Sequence, residues 1–251
     1  PNFGTDGWQF LLEDLERLLQ PNTKLLVVNF PHNPTGFLPT HCQWQRIIDI
    51  CTIRQIILFS DEMYRFTNND DTTPYPTACA MYENAISLSG LSKTYGMPGL
   101  RVGWICTRNS TLLKQMSEFK DYLTICASAP SEILAIIALR NKEYFQKKTV
   151  DILKKNLKVL DDFFKKYSHL FEWKRPKACT TSFVQLKEPL LELGNGTAEG
   201  FCDLVREEVG IMVLPAAMYD YPDEFVRISF GRANMPKVIE VFESFLKKHE
   251  F

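Results

Sequence analysis

The sequence predicts an α/β protein, with a mostly parallel sheet followed by a smaller α+β domain at the C-terminus. Three observations carry that prediction. Short apolar runs recur at residues 24–30, 56–59 and 85–88, and polar residues follow each one, as in strands buried on both faces of a parallel sheet. Stretches with apolar residues at helical spacing lie among them, and that alternation marks a parallel α/β arrangement. From about residue 166 the order changes to strand, helix, strand, strand, helix. The domains are therefore placed at 1–165 and 166–251.

The elements follow in order. Residues 7–20 carry Trp8, Leu11, Leu12, Leu15, Leu18 and Leu19 at helical spacing, with Glu13, Asp14, Glu16 and Arg17 opposite, and predict a helix. Residues 24–30 predict a strand. Thr40 to Gln43 reads as a capping box opening a helix to about residue 53. Strands follow at 56–59, 85–88 and 102–106, with a polar loop at 68–74. Asn109 and Ser110 cap a helix to about residue 122, and Pro130 marks a break. Helices are predicted at 131–140 and 142–167, the second with Leu153, Leu157, Leu160, Phe163 and Phe164 as its apolar stripe. The C-terminal domain is expected to hold strands at 182–186, 211–215 and 225–230 and helices at 200–208 and 236–248.

The bulk numbers exclude several classes. A chain of 251 residues, 45% hydrophobic and 24% charged, can bury a sizeable core. Its net charge of −1 gives no electrostatic case for nucleic acid or an anionic membrane surface. No apolar run approaches the ~20 residues of a membrane span. Seven cysteines, odd in number and scattered, point to free thiols in a reducing compartment and so to a cytoplasmic location. No His/Cys cluster has metal-ligand spacing, so no metal is expected.

The chemistry concentrates in one stretch, from Ser89 through Gly90, Ser92, Lys93, Gly99 and Arg101 to Gly103. A lysine brought to a strand end in partly apolar surroundings can act as a nucleophilic amine and form Schiff bases. An arginine eight residues later suits a planar, multidentate anion such as a phosphate. Upstream, Asn33-Pro34-Thr35-Gly36 follows the first strand, and Asp61 and Tyr64 follow the second. Ligands in open α/β sheets sit beyond the carboxyl ends of strands, and Asn33, Asp61, Tyr64 and Lys93 all fall there. His32, beside the Asn-Pro pair, is placed to touch a substrate. Near the C-terminus, Arg227 lies in a strand-like run, with Arg232 as a nearby competitor. Taken singly, each has a plain reading: Asp61 a helix cap, Asn33 a turn residue, Tyr64 a core aromatic, Arg227 a solvent-facing side chain. Their order along the chain sets those readings aside.

The stretch around Lys93 resembles the cofactor-lysine signature of class I/II aminotransferases, the fold-type I enzymes that use pyridoxal 5'-phosphate (PLP). The Asn-Pro-x-Gly and Asp-x-x-Tyr motifs precede it in the same order as in that family. The resemblance implies the remainder of a PLP-transferase large domain plus a small domain, joined by a long bridging helix. It implies that Lys93 is the catalytic Schiff-base residue and that Asp61 binds the pyridine nitrogen. Asn33 and Tyr64 would donate to the phenolate oxygen, Arg101 would clamp the phosphate, and Arg227, with Asn33, would hold the substrate α-carboxylate. Many relatives carry a serine where this chain has Gly90, so Ser92 is expected to supply a phosphate contact.

The implied reaction moves an amino group from an amino acid to a 2-oxo acid. PLP-dependent β-lyases or synthases of the same fold, and aminotransferase-like PLP-sensing regulators, are the alternatives. A homodimer is implied too. Relatives have a long segment upstream of the position matching Pro1, so the chain is read as the downstream part of such an enzyme.

Overall fold

The structure is a computed structural model that describes residues 2–5, 7–69 and 74–251. It opens with a hairpin of β1 (Asn2–Gly4) and β2 (Gly7–Gln9). Here the sequence reading fails: Trp8 was expected on a helix, which instead is the short α1 (Leu12–Leu18). Tertiary packing overrides the periodicity. Gly7 turns the chain at φ +96°, and the Trp8 ring packs against Phe3, Phe183, Tyr221 and Phe225.

The first domain is built on a four-stranded sheet. β3 (Leu25–Asn29), β4 (Ile57–Asp61) and β5 (Ala85–Gly90) are parallel neighbours, and β6 (Gly103–Thr107) closes the order antiparallel to β5. Between β3 and β4 runs α2 (His41–Arg54). The expected capping box is present, with Thr40 Oγ1 accepting from Gln43 N–H and the Gln43 side chain accepting from Thr40 N–H. The α2 residues Trp44, Ile47 and Cys51 are buried with Leu58 of β4. Each such apolar side chain contributes about 1.5–3 kcal/mol on burial. The one-turn α3 (Ala78–Met81) precedes β5. The polar loop expected at 68–74 lies largely outside the described residues.

Helices α4 (Ser110–Leu123) and α5 (Ala129–Arg140) follow β6, and Asn109 caps α4 by accepting from Leu112 N–H. α6 (Lys142–Lys166) leads to the C-terminal domain. Its expected stripe, Leu153 to Phe164, is buried in the C-terminal core. That domain has a four-stranded antiparallel sheet of β7 (Phe171–Glu172), β8 (Thr181–Leu186), β9 (Leu214–Pro215) and β10 (Phe225–Ser229), in the order β7-β8-β10-β9. Helices α7 (Glu188–Leu193), α8 (Ala198–Val209) and α9 (Met235–Lys248) complete it. The strand expected at 211–215 pairs only at Leu214 and Pro215, because β10 offers partners for those two residues alone. α3, α7 and β7 were not foreseen; each is too short to show a period.

Candidate active site

The parallel register aligns the carboxyl ends of β3, β4 and β5, pairing Asn29 with Asp61 and Asp61 with Leu88. The loops after these ends carry Asn33, Tyr64, Ser92 and Lys93. These four side chains line one cavity of about 720 Å³, and Arg227 and Ser229 of β10 close it from the C-terminal domain. Of the expected site residues, Asn33, Tyr64, Ser92, Lys93 and Arg227 are thus brought together. Asp61 and Arg101 are not part of the lining.

The loop holding Asn33 is tightly built. Peptides Phe30–Pro31 and Asn33–Pro34 are cis. Gly36 has φ +71°, and a Cβ there would meet Pro176 Cβ at 2.2 Å, so only glycine fits. Its carbonyl accepts from the N–H groups of Lys177 and Ala178, tying the loop to the segment before β8. The Asn33 N–H donates to Asn29 Oδ1 at 2.9 Å, and Asn29 Nδ2 donates to the Asp61 carbonyl. His32 does not line the cavity. Its Nδ1 lies 2.8 Å from Thr35 Oγ1, and burial pulls the imidazole down to about 4.

Asp61 sits at the last position of β4, with Oδ1 accepting from Met63 N–H at 3.0 Å. Burial raises its pKa, while the Met63 hydrogen bond, Asn29 and the nearby Lys93 charge oppose that rise. Its neighbour Glu62 is buried and anchors the loop. One oxygen accepts from Ala78 N–H and Ser87 Oγ, and the other meets Arg65 at 3.3 Å. Tyr64 is buried, and burial raises its phenol pKa, with the Arg227 charge and the Thr180 side chain among the opposing influences.

Lys93 Nζ lies 5.5 Å from the centre of the Tyr64 ring. Lys93 is exposed, so the apolar enclosure suggested by the sequence is not supplied by the described residues. A Cβ at Gly90 would come within 3.0 Å of the Val102 carbonyl and 3.1 Å of Gly103 Cα, which accounts for glycine where a serine was expected. Arg101 has φ +53°, is exposed, and donates to the Pro98 carbonyl. That backbone turn carries its guanidinium away from the cavity lining.

Arg227 stacks over the Tyr219 ring at 5.6 Å, and its Nε is buried with no hydrogen-bond partner among the described residues. Arg232 and Lys148 also line the cavity, as do Thr180 and Thr181 of the C-terminal domain. No carboxylate does. A lining of amine, guanidinium, phenol, amide and hydroxyl donors fits a ligand bearing several anionic oxygens. Sequence reasoning missed Lys148, Thr180 and Thr181, since a lysine on a helix and threonines in a strand carry no local signal. A smaller hollow of about 80 Å³ in the C-terminal core has an almost wholly apolar lining, including Phe201, Val226 and Phe242. It offers no comparable donors. Among the described residues, no group of three or more His, Cys, Asp or Glu side chains could hold a metal. No helix there is long and apolar enough to cross a membrane.

Known proteins agree with this geometry. Aromatic-amino-acid aminotransferase 2 of Thermococcus litoralis is 25% identical over 99% of the chain and 64% of its own length. Aspartate aminotransferase of Sulfolobus acidocaldarius is 28% identical over 90% of the chain and 56% of its own length. The chain thus spans less than two thirds of these relatives. A crystal structure of a PLP-dependent aminotransferase from Streptococcus suis superposes with a TM-score of 0.86, at 28% identity, over 96% of this chain and 62% of that one. The family model for aminotransferase class I and II matches residues 3–242. The chain belongs to the class I and II aminotransferase family.

Proposed function

We propose that the chain carries the lysine-bearing part of a PLP-dependent aminotransferase that moves an amino group from an amino acid to a 2-oxo acid. The observation that carries this is the convergence of Lys93, Tyr64, Asn33 and Arg227 on one cavity without a carboxylate in its lining, in a chain of this family. The donor set fits the cofactor, whose phenolate and phosphate oxygens need such partners. When bound, PLP supplies an electron sink for the charge left on the α-carbon after a proton departs.

The chain's own residues do the rest. Lys93 is the amine that holds the cofactor covalently through its aldehyde carbon. When a substrate amine takes that place, the freed Nζ accepts the α-proton and delivers it on the same face. Asn33 and Tyr64 donate to the phenolate oxygen and keep negative charge there. Asp61, at the end of β4, holds a proton on the ring nitrogen by its negative charge. Arg227 meets the substrate carboxylate with a guanidinium whose Nε is otherwise unpaired. Ser92 and Arg101 are assigned to the phosphate, Arg101 by a change of side-chain direction from the one seen. Positioned proton transfer of this kind is typically worth ~10²–10⁴ in rate.

The seven cysteines are free thiols, which supports a reducing, cytoplasmic setting. The exposed apolar side chains of α4 and α5 support a homodimer.

The test is amino transfer by wild type and variants, with 2-oxo acid and ammonia measured separately. Lys93→Ala should lose more than ~10⁴ in rate. Arg227→Met should mainly raise KM for the amino acid. Appreciable turnover by Lys93→Ala, or ammonia as the main product, would overturn the reading.

A further inference from the structure

We infer that Thr181 is a positioning residue, whose hydroxyl fixes the Asn33 amide with its N–H groups rather than its carbonyl toward the cavity. What that amide then meets rests on the PLP reading above; the orientation itself does not.

Thr181 opens β8 and is only 4% exposed. The antiparallel register sets it opposite Ser229 of β10, two residues beyond Arg227. Its Oγ1 lies 3.3 Å from Asn33 Oδ1 and 3.3 Å from Cys179 Sγ. The direction of these contacts follows from proton counting. An amide carbonyl oxygen only accepts, and a threonine hydroxyl has one proton to give. That proton therefore goes to Asn33. The Cys179 thiol must then be the donor to Thr181. Cys179 is wholly buried, and burial pushes its thiol up, which keeps that donor proton in place.

The rest of Asn33 is held from the other side. Its backbone N–H is pinned to Asn29, which also bonds the Asp61 carbonyl. With the backbone fixed by the first domain and Oδ1 taken by the second, Nδ2 is the part of the amide left to face the cavity that Asn33 lines. The line Cys179–Thr181–Asn33 thus spans both domains and sets one donor. At 3.3 Å the hydroxyl bond is long. Its value lies in selecting one of two amide orientations rather than in strength.

The test compares wild type with Thr181→Val, which keeps the shape and removes the hydroxyl, and with Thr181→Ser, which restores it. Thr181→Ala is the second variant should valine fail to fold. The first readout is the pH midpoint of the visible band formed with added PLP. A donor on the phenolate oxygen disperses charge that otherwise holds the proton on the neighbouring nitrogen. Losing it should raise the midpoint in Thr181→Val by about half to one pH unit, with Thr181→Ser close to wild type. The second readout is the crystal structure of each protein without PLP, where Thr181→Val should show the Asn33 amide turned or disordered. A midpoint unchanged in valine and alanine variants, with the amide in place, overturns the inference. Should wild type take up no PLP, the proposed function fails for this chain, and the ligand-free structures alone decide the role of Thr181.

Discussion

The two halves of the molecule differ in how far they cover themselves. Around α6, α8 and α9 the C-terminal domain closes a core in which Leu153, Leu157, Phe201 and Phe245 are essentially out of water. The sheet domain is well packed on its α2 side, through Trp44, Ile47 and Leu58. Its other margin is open. Ile133 is 60% exposed and Ile137 50% exposed on α5, and Phe119 is 64% exposed on α4. On the edge strand β3, Val27 is 61% exposed. Contiguous apolar surface of this kind marks a face that another protein surface covers. The comparison teaches that fold stability is concentrated in the C-terminal domain. The catalytic lysine instead stands on a domain with apolar surface still to be covered.

Three changes break or sharpen that contrast. The largest effect belongs to the closed core. Phe201→Ala should cost about 3–5 kcal/mol in denaturant unfolding, since a wholly buried ring leaves a cavity among Phe242, Phe245 and Val205. A cost near that of a surface substitution would show that this core is not what holds the domain.

The next belongs to the loop that carries Asn33. His32 is pulled down to about 4 from an ordinary 6.5, so protonating it opposes folding. Its contribution is intact above pH 6.5 and drains away as pH falls toward 4. About 3 kcal/mol should be lost over that window, and His32→Gln should flatten it. Unfolding free energies measured across these pH values check this; a profile identical in the variant contradicts it.

The smallest effect belongs to the open face. Ile137→Ser should change stability by no more than about 0.5 kcal/mol and lower self-association in sedimentation. A large loss of stability would mean that the face is packed within the chain after all.

How much was legible in the sequence follows the same division between local and long-range causes. The capping box at Thr40, the strand runs at 24–30 and 56–59 and the stripe of α6 depend on spacing within a few residues. Each appears close to where it was expected. Trp8 did not, because the contacts that hold it in a hairpin come from Phe183 and Phe225, far along the chain. At the site, Asn33, Tyr64 and Lys93 could be placed because strand ends in a parallel sheet converge. The hydroxyl of Thr181 could not, since it acts on a residue 148 positions away. Arg101 shows the opposite failure. Its spacing from Lys93 was informative, yet the direction of its side chain depends on a left-handed backbone turn that composition does not announce.

The most direct test of the account is chemical trapping. The purified chain is mixed with PLP, reduced with borohydride to fix the cofactor–lysine bond as an amine, digested, and mapped by mass spectrometry. The account predicts one dominant labelled site, Lys93, and loss of that label in Lys93→Ala. Label spread over surface lysines such as Lys147 and Lys154, or none at all, would contradict it.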